Sequence, residues 1–95
     1  MIWLFADPQN VAVITDRRIV KDSHPINYVS HDADDGSWQF LPNLDGGLDS
    51  ESAMLVSLKS IVEIDSSVQE IASLPLGWCA WRTAKGSPWT KKKQD

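Results

Sequence analysis

The sequence predicts an α+β fold, a small antiparallel sheet of about five strands covered on one side by two short helices. Three observations carry this expectation. The first half holds short β-branched and aromatic runs separated by turn residues. Residues 57 to 74 carry apolar residues at helical spacing. The 95-residue length and 42% apolar composition suit one core and no second folding unit.

Val11-Ala12-Val13-Ile14-Thr15 is a continuous β-branched run, read as a strand buried on both faces. Arg17-Arg18-Ile19-Val20 has no clear period and reads as a turn with a short extension. Ile26–His31 and Ser37–Leu41 are strand-like, and Asp32-Ala33-Asp34-Asp35-Gly36 between them has the chemistry of a hairpin turn. Alternation puts Trp38 and Phe40 on one face, and Ile26 and Tyr28 on one face of the neighbouring strand.

Pro42 to Ser52, with Asn43, Asp45, Gly46, Gly47 and Asp49, has a surface loop's composition. Ala53–Val56 follows as a short strand. Ser57 is an N-cap for Leu58, Ile61 and Val62, and Asp65 is an N-cap for Val68, Ile71 and Ala72, with Pro75 and Gly77 ending that second helix. Trp78–Thr83 reads as a returning strand. Residues 1–10 are then an N-terminal extension, 11–83 the single domain and 84–95 a basic C-terminal tail.

Composition narrows the function. Net charge is −4, and no Lys or Arg lies between Lys21 and Lys59, where Asp22, Asp32, Asp34, Asp35, Asp45, Asp49 and Glu51 fall. Phosphate binding depends on clustered cations, so nucleic acid is not the expected partner. Lys91-Lys92-Lys93 reads first as a solvated run. No apolar run nears the ~20 residues of a membrane-spanning helix, and the N-terminus lacks the basic leader of a signal peptide. The lone cysteine, Cys79, excludes an internal disulfide and fits a reducing, cytoplasmic setting.

The chemical motifs are negative. The Asp32–Gly36 cluster lacks the spacing and terminal Glu of a calcium loop. His24, His31 and Cys79 are too few for a closed zinc site, and Cys79 between Trp78 and Trp81 has no basic neighbour to activate it. No nucleophile elbow or phosphate loop is present. No enzyme activity, metal or cofactor is expected. Of the five tryptophans, Trp38 and one of Trp78 or Trp81 belong in the core, while Trp3 and Trp89 either pin the termini or face a partner.

Asp35-Gly36-Ser37-Trp38-Gln39-Phe40, followed by Val56-Ser57-Leu58, Ile61, Ile64-Asp65, Leu74-Pro75-Leu76-Gly77 and Arg82, resembles the bacterial immunity protein 33-like domain family over residues 11 to 83. Family members often have Pro after the capping Asp, where this chain has Ser66. The resemblance implies a compact α+β fold and an immunity protein that neutralises a toxin in bacterial competition. On this reading the chain is a non-catalytic protein-binding domain with Asp32, Asp34, Asp35, Asn43, Asp45, Asp49 and Glu51 at its contact surface, suited to a basic toxin. The alternative is an accessory or regulatory domain binding a small ligand between sheet and helices. The oligomeric state is left open.

Overall fold

The computed structural model describes residues 2–43 and 47–94. Its order is β1 (Ala12–Asp16), α1 (Arg17–Lys21), β2 (Tyr28–His31), β3 (Trp38–Leu41), β4 (Ala53–Ser57), α2 (Leu58–Ile64), a 3₁₀ helix (Ser66–Ile71), β5 (Trp78–Trp81) and β6 (Thr90–Lys93). The α+β class holds. Among the described residues the sheet has six strands instead of about five, in the order β4-β1-β3-β2-β5-β6, and there are three short helices instead of two. It is also mixed: β1 runs parallel to β3, with Ile14 beside Gln39 and Thr15 beside Phe40, while every other pair is antiparallel.

The parallel pair is a long-range choice that no local pattern reports. The β2–β3 hairpin enters the sheet with β3 inward, and Thr15 Oγ1 locks it by donating to the Phe40 carbonyl at 2.8 Å. The extra helix has a local cause. Asp16 ends β1 and caps α1, its carboxylate accepting from the Arg18 N–H at 2.8 Å, so Arg17–Lys21 closes a helical turn where a looser turn was expected. The chain then reverses through Ser23, at a φ of 57°.

The two later caps form as expected. Ser57 accepts from the Ser60 N–H at 3.1 Å and Asp65 from the Ser67 N–H at 3.0 Å. The helix capped by Asp65 is 3₁₀ and Pro75 follows it; Gly77, at a φ of 80°, turns the chain into β5.

Alternation and register place Val13, Phe40, Val29 and Ala80 on one sheet face, where they meet Leu58, Ile61, Val68 and Ile71 of the helices. The opposite face carries Ile14, Leu55, Gln39, Tyr28 and Trp81 and is only partly covered. The expectation that β1 is buried on both faces is therefore corrected: Val13 and Thr15 are buried, but Ala12 is exposed and Ile14 half-buried. The helices cover only one side, so alternate residues of β1 meet solvent.

Both chain ends join this unit. Phe5 is buried, packing edge-on against Trp38 at 5.1 Å, and the Trp38 indole N–H donates to Asp7 Oδ1 at 3.2 Å. Lys91–Lys93, read as part of a solvated tail, form β6 against β5 with their side chains exposed. Trp3 and Trp89 are half-buried against the core, which pins each terminus, and Trp78 and Trp81 are both half-buried. No described helix is long and apolar enough to cross a membrane.

Candidate functional site

The β2–β3 turn is set by its own backbone. Gly36 donates to the Asp32 carbonyl at 2.9 Å, Asp32 donates to the Ser37 carbonyl at 2.8 Å, and Gly36 adopts a φ of 75°. Asp35 Oδ1 accepts from the Ser37 N–H at 2.9 Å, and this bond holds its carboxyl below the usual carboxylate range. Asp32 Oδ2 accepts from Gln39 Nε2 at 2.8 Å. Asp34 and Asp35 are exposed.

A second turn braces the first. Gly77 donates to the His31 carbonyl at 2.7 Å and accepts from the Gln94 N–H at 2.7 Å, tying residues 75–77 to β2 on one side and to the end of β6 on the other. Asp32, Ala33, Asp34, Asp35, Gly77 and Gln94 line the shallow cleft, of about 440 Å³, that results. Leu76 stands beside it, 57% exposed, with its side chain against Gly36. The result is an exposed apolar side chain next to a residue whose backbone is bonded on two sides, with carboxylates nearby.

The remaining predicted residues lie elsewhere. Asn43, Asp49 and Glu51 follow β3, whereas Asp32, Asp34 and Asp35 precede it, so the two acidic groups sit at opposite ends of that strand and form no single surface. Asp45 lies outside the described residues. At the loop end the local structure uses much of the polar capacity. Asn43 Nδ2 donates to the Gly47 carbonyl, Asp49 Oδ1 accepts from the Glu51 N–H at 3.0 Å, and Arg17 Nη2 donates to the Glu51 carbonyl at 3.2 Å. Cations also stand there: Arg18 binds Asp16 at 2.9 Å. Sequence separation in a loop does not report which end of a strand a residue occupies, and that geometry divided the set.

The two histidines and the cysteine are held in structural contacts. His31 stacks on Trp38, ring centroids 3.9 Å apart and 11° from parallel, and its Nδ1 lies 2.8 Å from the Leu74 carbonyl. His24 Nδ1 lies 3.0 Å from the Pro25 carbonyl. Cys79 is 2% exposed. Among the described residues no three His, Cys, Asp or Glu side chains converge as a metal site.

A cleft of about 340 Å³ lies between α1 and the end of α2, lined by Ile19, His24, Pro25, Ile64, Asp65 and Lys85 among others. Its buried carboxylate is already bonded. Asp65 Oδ1 accepts from the Ser67 N–H and hydroxyl, and Oδ2 accepts from Arg82 Nη2 at 2.8 Å. Arg82 also donates to Ser67 Oγ at 2.8 Å and, through Nε, to the Ile26 carbonyl at 3.0 Å, with the Trp89 ring over its guanidinium at 4.1 Å. This network joins the helical layer to β5 and occupies the buried carboxylate of the cleft.

Sequence reasoning missed Leu76 as a surface residue and the Asp65–Arg82 pair. For Leu76 a signal was present, since Pro75 and Gly77 on either side mark a turn, and turns run over the surface. No family model, curated protein or solved structure matches this chain.

Proposed function

We propose that this chain is a non-catalytic protein-binding domain that engages its partner through Leu76 and the acidic turn Asp32–Asp35. The observation that carries the reading is the exposure of Leu76 on a backbone tied to both β2 and β6, beside three aspartates. Leu76 supplies buried area on binding, and the carboxylates supply orientation and a field that draws in a cationic partner.

The resemblance to the immunity protein 33-like family supports the same surface, because two of the segments that carry it, Asp35–Phe40 and Leu74–Gly77, contribute Asp35 and Leu76. On that reading the partner is a basic bacterial toxin, and the chain acts by covering it in the cytoplasm. An inhibitor of this kind needs a rigid scaffold and no reactive centre, consistent with histidines and a cysteine held in packing and backbone contacts.

The test is affinity capture from the producing cell on immobilised full-length chain, with Leu76→Arg and the pair Asp34→Lys, Asp35→Lys as comparisons. A basic protein should be retained by the native chain. Leu76→Arg should weaken it about 100-fold, and the charge reversal should mainly slow association. Equal retention by all three would place the contact elsewhere and overturn the proposal.

A further inference from the structure

The two edges of the sheet are unlike each other. Strand order leaves β4 and β6 outermost. β6 reads Thr-Lys-Lys-Lys with all side chains exposed, a charged edge of the kind that resists pairing with another chain. β4 reads Ala-Met-Leu-Val-Ser, with no charge and no proline to block a neighbour.

The hydrogen-bond pattern to β1 shows which groups of β4 face outward. Arg17 donates to the Ser52 carbonyl and Leu58 donates to the Val11 carbonyl, so even-numbered residues of this stretch turn their peptide groups toward β1. Ala53, Leu55 and Ser57 therefore point theirs away from the sheet. Among the described residues no hydrogen bond to the Ala53, Leu55 or Ser57 N–H is found outside the strand ladder. Leu55 is 69% exposed on the open face, beside half-buried Ile14.

We infer that β4 pairs antiparallel with β4 of a second copy, centred on Leu55, to form one continuous sheet across a two-fold axis. Self-pairing is favoured over a foreign strand by charge. Glu51 and Lys59 stand four residues before and four after Leu55, both exposed and neither in an ion pair among the described residues. Antiparallel pairing about Leu55 sets Glu51 of each copy toward Lys59 of the other, at the point where β4 gives way to α2. The outward groups of Leu55 bond reciprocally, those of Ala53 meet those of Ser57, and the two exposed leucines cover one another. A two-fold contact of this kind is self-complementary, as closed dimers require. Leu76 and the acidic turn lie next to β2 and β5, away from β4, so this inference does not depend on the proposed partner surface.

Sedimentation and light scattering of the full chain decide the matter. A species of twice the 10.6 kDa chain mass is expected, dissociating on dilution. A native chain that stays monomeric up to about 1 mM would overturn the inference. Leu55→Pro removes an outward N–H without touching the ladder to β1 and should yield a folded monomer. A dimer that survives it places the contact elsewhere. Because proline also restrains the backbone, charge exchange gives an independent reading. Glu51→Lys and Lys59→Glu alone should each weaken association about tenfold, and the double variant should restore it. Additive losses in the double variant would refute the register.

Discussion

Arg82 and Asp65 meet at 2.8 Å between β5 and the start of the 3₁₀ helix, with 0% and 6% of their side chains exposed. The pair is also bonded to Ser67 and to the Ile26 carbonyl, and the Trp89 ring lies over the guanidinium. The pair works as a bolt between the helical layer and the sheet. Its worth lies less in net attraction than in the cost of leaving either charge alone.

Breaking it from one side should be expensive. Asp65→Asn or Arg82→Met is expected to lower unfolding free energy by about 3–5 kcal/mol, since the surviving partner is stranded in the interior. Replacing both together, as Asp65→Leu with Arg82→Met, should cost less than the sum of the single losses. Urea unfolding of the three variants measures this, and additive losses would mean that the groups act independently.

Acid should weaken the fold through the same pair. Burial alone raises the Asp65 carboxyl, but the Ser67 bonds and Arg82 together outweigh it and hold the group below the usual carboxylate range. Asp16 is lowered chiefly by its hydrogen bond from Arg18. A carboxylate lowered in the folded state contributes its stabilisation above the unfolded value of about 3.9 and loses it as pH falls further. Stability measured from pH 6 to 2 should therefore decline below about pH 4, and Asp65→Asn should decline less over that interval from a lower start.

Alkali should act on the single tyrosine. Burial, with a hydrogen bond to Cys79 behind it, pushes the Tyr28 phenol up to about 12. A raised phenol favours the neutral, folded form below the unfolded value of about 10, and that contribution disappears as pH climbs toward 12. Tyrosinate absorbance should appear well above pH 10 in the folded chain and near 10 in denaturant. Tyr28→Phe should flatten the stability curve above pH 10.

The C-terminal strand should matter to the fold. Trp89 lies over the Arg82 guanidinium at 4.1 Å, and β6 covers the outer side of β5. Trp89→Ala is expected to cost about 1–3 kcal/mol through lost cation–π contact and packing. Deletion after Lys85 should cost more, because β5 then becomes an unprotected edge. Thermal melts of both variants check this, and an unchanged midpoint for the deletion would mean that β6 contributes nothing.

What the residues alone determined was local. Ser57 and Asp65 announced their helices because a side-chain oxygen three or two residues upstream satisfies a particular N–H. The Asp32–Gly36 turn was readable because glycine reaches positive φ cheaply, and Cys79 because its apolar flanks predict burial. Tertiary structure decided everything that joins distant stretches of chain. It set β1 parallel to β3, and it turned a lysine tail into an edge strand against β5. It carried Asp32 and Asp49 to opposite ends of one strand, and it brought Arg82 to Asp65. Capping and turn chemistry act over a few residues and leave a signature at fixed spacing. Strand order and buried pairing arise only when the whole core closes, and no spacing along the chain records them.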